Sequence, residues 1–515
     1  MPHNLREVFS GWGEGIDISA IPDISVNSLC LDSRLINSGD VFVALAGIQS
    51  HGLEFAAKAQ ANGAAAILCD QAESAEHQSF NCPLILIPGL NRRQAELASR
   101  FYGAPDDDMY LVGVTGTNGK TSVAHFIAQA WQLWHGKAGL IGTLGTGQLD
   151  ELSVTEHTTP DIFTTYAQLA KLRAEYVGLT AMEVSSHALD QNRVGLLSFD
   201  VAVFTNLSQD HLDYHGDMHS YAAAKQRLFT DHQPHFAVLN IADEVGPRWL
   251  SELPNNTQCL SYYGDSAISG QGSHNKALAD GPADIPADIP ADIYASDVKA
   301  GQQGIRFRLH SPWGEAVIQS NLLGRFNLDN LLATAATLGL LGMPFTQLCH
   351  ALELIQPVHG RMQRITAEPN QPLVVVDYAH TPAALKQALL GLRAHTRGQL
   401  LCVFGCGGDR DKSKRPLMAA IAEKYAERVY LTSDNPRSED PLKIIDEATA
   451  GFKHPQSVSI EPDRAAAIRL AVYAATGEDV VLIAGKGHEQ YQQLGSQTIA
   501  FDDALEARLA LGVAA

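Results

Sequence analysis

The sequence predicts an α/β protein of three domains, and two observations carry this prediction. Short apolar runs with the length of buried strands alternate with stretches of helical periodicity along most of the chain. Helices that alternate with strands in this way cover a largely parallel sheet. The chain also has 515 residues, whereas a domain usually contains about 100–200 residues. We therefore expect three α/β units.

Breaks in this alternation predict the domain boundaries. A smaller N-terminal α/β domain is expected over residues 1–108, which end in the polar segment Pro105–Asp108. A central domain, mostly a parallel sheet with helices on both faces, is expected over residues 109–356, and a C-terminal domain over residues 357–515. The predicted strands are Asp40–Ala44, Ala65–Leu68, Leu84–Ile87, Tyr110–Val114, Ala138–Ile141, Thr180–Val184, Val201–Thr205, Phe236–Leu239, Leu373–Val376, Leu400–Phe404, Val429–Leu431 and Val480–Ala484.

Residues 281–293 carry three copies of Pro-Ala-Asp-Ile after an initial glycine. Proline at every fourth position excludes a helix or a central strand, so an extended surface loop is expected. A tolerated insertion is the favoured interpretation, and a partner-binding arm is the alternative.

Charge and composition narrow the class of protein. The chain has 37 basic and 57 acidic residues, a formal net charge of -20, which argues against non-specific binding to nucleic acid or anionic membranes. Its seven cysteines are scattered and form no disulfide framework. We find no signal peptide and no apolar run of the ~18 residues that a membrane span needs. We expect a cytoplasmic monomer without membrane insertion.

A glycine-rich turn between a strand and a helix is the most specific signal in the sequence. The turn reads Gly116-Thr-Asn-Gly-Lys-Thr121, and Val114 occupies the place of the first glycine of the standard phosphate-binding loop. Backbone N–H groups and the positive end of a helix can cradle a phosphate there. Lys120 would reach the β- and γ-phosphates and the Thr121 hydroxyl would bind Mg²⁺. An ordinary turn with a capping threonine is the less favoured alternative, so we expect a nucleoside triphosphate site in a central P-loop-type domain.

Polar side chains follow two more strands of the central domain. Glu183 lies near the end of its predicted strand, where a carboxylate suits a metal better than a core. The loop after the next strand holds Asp210, His211, Asp213 and His215. Mg²⁺ prefers carboxylate, hydroxyl and phosphate oxygens, so we favour a magnesium site over a zinc site. A solvated turn is the alternative for the Asp/His loop.

Three strand ends of the C-terminal domain are followed by polar turns, as in an open Rossmann-like sheet that binds its ligand at this edge. These turns contain Arg410, Asp434, Asn435, Arg437 and Glu489. Guanidinium groups grip carboxylates, whereas Asp and Glu bind ammonium groups. A pocket with both suits a zwitterion such as an amino acid. Salt bridges between surface loops are the alternative.

With these motifs assembled, the chain resembles the Mur ligases, ATP-dependent enzymes that form amide bonds in peptidoglycan synthesis. The resemblance covers essentially the whole chain. Its motifs are Leu31–Arg34, the Gly116–Thr121 loop, Glu183–His187, Thr205–Gly216, Gly324–Asn327 with Asn330, His359–Arg361, Asp377–Pro382, Gly407–Asp411, Asp434–Arg437 and Gly485–Glu489. Within the family the chain resembles the branch that adds 2,6-diaminopimelate to UDP-N-acetylmuramoyl-L-alanyl-D-glutamate.

The resemblance implies further roles. ATP would contact Gly116, Thr117, Asn118, Gly119, Lys120, Thr121, Ser122, Asn327 and Arg361. The nucleotide-sugar peptide would contact Leu31, Ser33, Ile48, Gln49, Ser50, His157, Thr158, Thr159, Ser185, Gln191 and Arg193. His157 stands where related enzymes often have asparagine. The catalytic and metal-binding set would be Lys120, Thr121, Glu183, His211 and Lys225, the last as a carbamate that helps to hold a second Mg²⁺.

The diaminopimelate pocket would consist of Arg410, Asp434, Asn435, Pro436, Arg437, Gly485 and Glu489. Diaminopimelate carries a distal carboxylate that lysine lacks, so Arg437 with Arg410 would bind the former and repel the latter, and Glu489 would take the distal ammonium. The expected reaction forms an acyl phosphate on the D-glutamate γ-carboxylate, which the diaminopimelate amine then attacks. The general base stays open between His211 and His380.

Three alternatives to this function exist. Arg437 argues against a lysine-adding ligase, and Leu31–Arg34 argues against an enzyme of the folylpolyglutamate synthetase type. A non-catalytic nucleotide-binding scaffold is the alternative of another class, and four intact residues argue against it: Lys120, Glu183, Lys225 and Arg437.

Overall fold

The computed structural model describes residues 3–13, 16–47, 50–70, 80–155, 157–254, 256–264, 291–365 and 370–513. The chain divides into two compact units. The first unit comprises residues 1–120, 131–238 and 245–259, and the second comprises residues 121–130, 239–244 and 260–515.

The helices within the described ranges are α1 (Leu5–Val8), α2 (Ala56–Ala61), α3 (Gln94–Tyr102), α4 (Lys120–His135), α5 (Ile162–Ala174), α6 (Ser186–Asp190), α7 (Leu212–His215), α8 (Met218–Thr230), α9 (Gly246–Glu252), α10 (Phe326–Leu340), α11 (Phe345–Leu354), α12 (Pro382–Arg393), α13 (Lys414–Tyr425), α14 (Pro441–Thr449), α15 (Arg464–Ala474) and α16 (Asp503–Leu511). None of these helices has both the length and the apolar character that crossing a membrane requires.

The strands in the same ranges are β1 (His3–Asn4), β2 (Ser25–Val26), β3 (Leu29–Cys30), β4 (Val41–Ala44), β5 (Ala66–Cys69), β6 (Leu84–Leu86), β7 (Tyr110–Thr115), β8 (Ala138–Gly142), β9 (Gly145–Gln148), β10 (Glu151–Ser153), β11 (Leu179–Glu183), β12 (Val201–Phe204), β13 (Phe236–Asn240), β14 (Gln258–Tyr263), β15 (Ile293–Gly301), β16 (Gly304–Ser311), β17 (Gly314–Ser320), β18 (Gln363–Ile365), β19 (Leu373–Asp377), β20 (Leu400–Cys406), β21 (Arg428–Ser433), β22 (Ser459–Ile460), β23 (Val480–Ala484), β24 (Tyr491–Leu494) and β25 (Gln497–Ala500).

The first unit contains two sheets of mostly parallel strands. β3, β4, β5 and β6 follow one another in space as well as in sequence, and all three pairings are parallel. Every residue of β4 and of β5 is buried, as expected for parallel strands covered on both faces. The larger set runs in the order β10–β9–β8–β11–β7–β12–β13. The β8–β11, β11–β7 and β7–β12 pairings are parallel, whereas β9 pairs antiparallel with both β8 and β10.

The second unit holds a Rossmann-like sheet with the strand order β18–β19–β23–β20–β21–β22. Residues of β20 point alternately to its two faces. Cys402 and Phe404 join a buried apolar cluster with residues of α12, α13 and α14. Leu401 and Val403 join a second cluster with residues of α15 and α16. The same unit contains the strands β14–β15–β16–β17 and the hairpin β24–β25.

The structure confirms the predicted α/β fold class, and each predicted strand is present within one or two residues of its predicted ends. The strands that were not predicted are two or three residues long or lack a continuous apolar run; they are β1, β2, β3, β9, β10, β14, β15, β16, β17, β18, β22, β24 and β25. The Pro-Ala-Asp-Ile repeat lies outside the described residues up to Pro290, and Ile293 at its end begins β15. The predicted domain boundaries stay a prediction.

A buried ion pair joins two helices on one face of the Rossmann-like sheet. Arg464 at the start of α15 and Asp503 at the start of α16 both have no exposed side-chain surface. Two guanidinium N–H groups donate to the two Asp503 oxygens, each over 2.7 Å. Arg464 also donates to the carbonyl oxygens of Ser433 and Ala484, over 3.3 and 3.0 Å. The pair therefore fixes the carboxyl ends of β21 and β23.

Replacing Asp503 with asparagine should lower the free energy of unfolding by about 3–5 kcal/mol, because Arg464 would remain buried without a counter-charge. Urea denaturation followed by circular dichroism measures this loss. The control is Glu506→Gln, which removes a more exposed pair with Arg469 at 3.6 Å and should cost at most about 1 kcal/mol. Equal losses in the two variants would contradict the prediction.

Candidate active site

The glycine-rich turn lies between β7 and α4 and is fixed by the segment that follows β12. Gly116 has a φ of +146°, and a Cβ atom there would lie 1.9 Å from the Thr205 hydroxyl oxygen. That hydroxyl donates to the Asn118 carbonyl oxygen over 2.6 Å. The backbone N–H of Thr117 donates to the Asn206 carbonyl oxygen over 2.7 Å. Only glycine fits at position 116, and the contacts with residues 205 and 206 set the shape of the loop.

Two lysine ammonium groups meet at the carbonyl oxygen of Gly116. Lys120 donates to it over 2.9 Å and Lys225, on α8, donates over 2.8 Å. Lys225 is 1% exposed and lies 4.5 Å from the centre of the Tyr221 ring. Burial, followed by the charge of Lys120, holds the pKa of Lys225 well below its ordinary value, although Asp210 acts in the opposite direction. The turn is thus a cationic site, in which Lys225 forms no ion pair with any described carboxylate.

Glu183 ends the strand next to β7, in register with Val114. Its carboxylate is 2% exposed and accepts from the Thr143 backbone N–H over 2.8 Å and from the Thr143 hydroxyl over 3.2 Å. A Cβ atom on Gly142 would lie 2.4 Å from a Glu183 carboxylate oxygen. Parallel registration therefore places a buried carboxylate beside the strand that leads into the glycine turn, as the sequence predicted.

The Asp/His loop does not form a metal cage. His211 has a left-handed backbone with a φ of +51° and is exposed, with Asp210 3.5 Å away. His215 instead contacts the Ser186 hydroxyl over 2.9 Å. Across the part of the chain that the structure describes, no group of three or more His, Cys, Asp or Glu side chains could hold a metal ion. The zinc alternative therefore has no support here, and a magnesium site would need phosphate or further oxygen ligands.

A cavity of about 760 Å³ lies in the first unit between the N-terminal sheet and the central sheet. Leu31, Ser33, His157, Gln191 and Arg193, all predicted substrate contacts, line it. Phe55, Lys58, Gln94 and Asp161 line it as well. The sequence did not predict these four residues as substrate contacts, because none of them belongs to a recognisable motif.

Three predicted substrate residues form a hydrogen-bonded chain beside this cavity. The Thr159 hydroxyl donates to the Glu183 carbonyl oxygen over 2.8 Å and accepts from the Ser185 backbone N–H over 3.1 Å. Arg193 donates to the Thr159 carbonyl oxygen over 3.0 Å. Thr158 lies 3.1 Å from the Thr143 hydroxyl. Ser50 accepts from Gly47 through its carbonyl oxygen over 2.9 Å, whereas Ile48 and Gln49 lie outside the described residues.

In the second unit, two arginines lie beside the loop that follows β20. Arg437 has a φ of +51° and donates to the Gly408 carbonyl oxygen over 2.8 Å. A Cβ atom on Gly407 would lie 3.0 Å from a terminal nitrogen of Arg437 and 3.8 Å from Cγ of Arg410. No described carboxylate forms an ion pair with either guanidinium. These two cations are available for an anionic ligand group.

A buried arginine that sequence reasoning missed fixes both loops. Arg415, on α13, has no exposed side-chain surface and pairs with Glu439 over 2.8 Å and Glu447 over 2.6 Å. The Ser438 backbone N–H and hydroxyl both donate to Asp409, over 3.1 and 2.6 Å. The loops that carry Arg410 and Arg437 are therefore tied together, so their guanidinium groups have defined places.

The remaining predicted pocket residues gather at the ends of β21 and β23. Asn435 donates from its amide nitrogen to a Glu489 carboxylate oxygen over 2.7 Å. Asp434 is 8% exposed, and its carboxylate would lie 2.6 Å from a Cβ atom on Gly485, whose φ is +121°. Pro436 lies against the loop that follows β20, and its carbonyl oxygen would lie 1.9 Å from a Cβ atom on Gly408.

Two further predicted residues lie in the second unit. Asn327 is 3% exposed, donates to the Leu323 carbonyl oxygen over 2.7 Å and accepts from Asn330 over 2.9 Å. The Arg361 guanidinium lies 4.6 Å from the centre of the Tyr378 ring. Burial and then the charge of Arg361 lower the pKa of His125 to about 4. Burial also lowers the pKa of His380, and the charges of Lys414 and Arg361 act in the same direction.

Comparison with known proteins identifies the family. The Mur ligase family catalytic domain matches residues 25–102, the Mur ligase middle domain residues 114–338, and the Mur ligase glutamate ligase domain residues 360–487. A UDP-N-acetylmuramoyl-L-alanyl-D-glutamate–2,6-diaminopimelate ligase of Xanthomonas campestris pv. campestris is 46% identical over 495 residues, 96% of each chain. This chain belongs to the Mur ligase family.

Other Mur ligases support the assignment over the whole length. A Coxiella burnetii protein named as the same 2,6-diaminopimelate ligase is 44% identical over 95% of this chain and 96% of its own. A solved structure of a ligase of that name is 34% identical, covers 99% of each chain and has a TM-score of 0.69. The Mur ligase MurF of Thermotoga maritima, solved in complex with ADP, is 18% identical over 89% of this chain and 94% of its own, with a TM-score of 0.59. This last likeness shows the fold alone.

Replacing Gly116 with alanine tests the geometry of the Mur ligase glycine turn. The added methyl group would strain the backbone and collide with Thr205, so the free energy of unfolding should fall by about 1–3 kcal/mol. Urea denaturation measures the loss. Gly301→Ala is the matched control, because its Cβ atom would meet nothing within 4 Å, and it should change stability by no more than about 0.5 kcal/mol. A loss in G116A no larger than in G301A would contradict the assigned loop shape.

Proposed function

We propose that this chain joins meso-diaminopimelate to the D-glutamate γ-carboxylate of UDP-N-acetylmuramoyl-L-alanyl-D-glutamate, using ATP, in peptidoglycan precursor synthesis. The observation that carries this proposal is identity of 46% over nearly the full length with a ligase of that name. Arg410 and Arg437, which form no ion pair with a described carboxylate, support the choice of amino acid. As part of the same proposal, the enzyme works as a cytoplasmic monomer, and its product serves cell-wall growth, cell shape and cell division.

The cavity of the first unit would bind the nucleotide-sugar peptide. Leu31, Ser33 and the segment 48–50 would hold the uridine end. His157, Thr158, Thr159, Ser185, Gln191 and Arg193 would line the remainder of the molecule. Arg193 supplies a cation for an anionic substrate, and its side chain is held by Gln191 over 2.6 Å. We assign residues 1–108 to nucleotide-sugar binding together with the contacts at 157–193, residues 109–356 to ATP and residues 357–515 to the amino acid.

The pocket of the second unit would bind the amino acid. Arg437 and Arg410 would grip the distal carboxylate, because guanidinium groups pair with carboxylates through two parallel hydrogen bonds. Glu489 would accept the distal ammonium, and Asp434, Asn435, Pro436 and Gly485 would complete the wall. Lysine would leave both guanidinium groups without a carboxylate and place an ammonium near them. The pocket therefore favours diaminopimelate.

The reaction has two steps. The D-glutamate γ-carboxylate attacks the γ-phosphorus of ATP, which breaks the bond to the bridging oxygen and gives an acyl phosphate and ADP. The neutral amine of diaminopimelate then attacks the acyl carbon, loses a proton, and expels phosphate. Lys120 would neutralise charge on the phosphoryl group in transfer. Residues 116–122 would cradle the phosphates, and Asn327 and Arg361 would contact the rest of ATP. The base that takes the amine proton stays open between His211 and His380.

Magnesium ions would lower the charge repulsion between ATP and the attacking carboxylate when bound. The residues that would hold them are Thr121, Glu183, His211 and Lys225. An ammonium cannot bind a cation, so Lys225 must first change. Burial and the neighbouring charge of Lys120 lower its pKa and so favour the amine form, which can add to carbon dioxide and release a proton to give a carbamate. The carbamate would supply a carboxylate group beside Gly116, where Lys225 forms no ion pair with a described carboxylate.

Phosphate release tests the function. The wild-type enzyme with ATP, Mg²⁺ and UDP-N-acetylmuramoyl-L-alanyl-D-glutamate should release phosphate with meso-diaminopimelate and little with L-lysine. Arg437→Ala should lower kcat/KM for diaminopimelate roughly 100-fold, because a buried carboxylate would lose its partner. The matched control is Arg469→Ala, at a surface ion pair of the same domain. A preference for lysine would overturn the amino acid assignment alone, and no release with either amino acid would overturn the ligase proposal.

The state of Lys225 has its own test. Wild-type protein in ¹³C-bicarbonate should give a carbamate carbon signal by NMR, and Lys225→Ala should lack it. Because the variant loses a proposed metal ligand, its kcat should fall at least about 100-fold. The exposed Lys443 provides the control, and Lys443→Ala should keep both the signal and the rate. A signal that persists in K225A would assign the carbamate to another lysine.

A further inference from the structure

Lys486 lies in the amino-acid pocket, and neither its motif nor the proposed function gives it a role. Its side chain has no exposed surface, although lysine is almost never fully buried without a partner. The residue sits between two glycines with positive φ, Gly485 at +121° and Gly487 at +54°. A Cβ atom on Gly487 would lie 2.6 Å from Cβ of Tyr378. The turn is packed on both sides of Lys486, so the ammonium has a fixed place.

The ammonium group joins two residues of the pocket. It donates to the Asn435 side-chain oxygen over 3.1 Å and to one Glu489 carboxylate oxygen, Oε2, over 3.1 Å. Asn435 completes the triangle by donating from its amide nitrogen to the same Oε2 over 2.7 Å. The backbone N–H of Gln493 also donates to the Asn435 oxygen, over 2.9 Å.

This arrangement fixes the direction of both partners. An ammonium only donates, so the oxygen of the Asn435 amide must face Lys486 and its nitrogen must face Glu489. Both donors occupy Oε2 of Glu489. No described group donates to the other oxygen, Oε1, and the Glu489 side chain is 18% exposed. Two donors therefore hold Oε2, whereas Oε1 has no described donor.

We propose that Lys486 is a positioning residue for amino-acid binding, which fixes Glu489 so that Oε1 receives the distal ammonium of the substrate. The inference rests on the proposed function. Without Lys486, Asn435 can rotate its amide and Glu489 loses its charged donor, so the carboxylate no longer has one orientation. Binding of the amino acid weakens, while the phosphate-binding loop, which is built from other residues, keeps its geometry.

The test compares Lys486→Met with wild type under saturating ATP and nucleotide-sugar peptide. KM for meso-diaminopimelate should rise roughly tenfold or more, because hydrogen bonds to charged groups are lost. The kcat and the KM for ATP should stay within about twofold of wild type. Lys486→Gln keeps a hydrogen-bond donor without the charge, so its KM for meso-diaminopimelate should lie between those of wild type and K486M. This variant replaces K486M if K486M folds poorly. Lys443→Met, at an exposed position, should match wild type.

A double-mutant cycle separates positioning from a merely structural role. If Lys486 acts through Glu489, K486M should add little to the KM of Glu489→Gln, because coupled residues are not additive. Additive effects, or an unchanged KM for diaminopimelate in both K486M and K486Q, would overturn the proposal. A wild-type enzyme that releases no phosphate with diaminopimelate would overturn the proposed function, and this inference with it.

Discussion

Parallel strand registration is the constraint on which both candidate sites depend. Glu183 is paired in register with Val114, and Cys406 is paired with Ser433 in the Rossmann-like sheet. In each case the chain leaves neighbouring strands at the same edge, so loops distant in sequence become neighbours. The glycine turn rests on residues 205–208 for this reason. The loops after β20 and β21 are tied together in the same way by Arg415.

The arginines of the second unit differ in whether a carboxylate of the chain pairs with them. Those with such a partner stabilise the fold, and those without one are free to bind a ligand. Arg415 and Arg464 are fully buried, and each is bonded to carboxylates of its own domain. Removing a partner would leave an uncompensated charge, which is costly in a protein interior. Arg410 and Arg437 form no ion pair with a described carboxylate, although Arg410 lies only five residues before Arg415 in the sequence. A zwitterion with an extra carboxylate would supply what these two lack.

Much of the fold and part of the site could be predicted from the sequence, because their signals are local. Apolar runs marked β7 and β20, and the glycine turn marked the candidate phosphate site. Arg415 and Lys486 could not be predicted, since each looks like an ordinary surface residue until Glu439 or Asn435 is brought to it. The hairpin β24–β25 was not predicted, because most of its residues are polar or exposed. A single sequence does not reveal which residues distant along the chain come into contact.

The two lysines at Gly116 show why a nucleotide site of this kind needs ligands or chemistry to complete it. Each ammonium donates to the same carbonyl oxygen, and their mutual repulsion helps to lower the pKa of Lys225. A bound anion would relieve that repulsion at Lys120. Lys225 is buried against Tyr221, so it cannot turn its ammonium to solvent. The proposed carbamate would reverse the charge of Lys225 in place, and it would exchange a repulsive contact for an oxygen able to bind a metal ion.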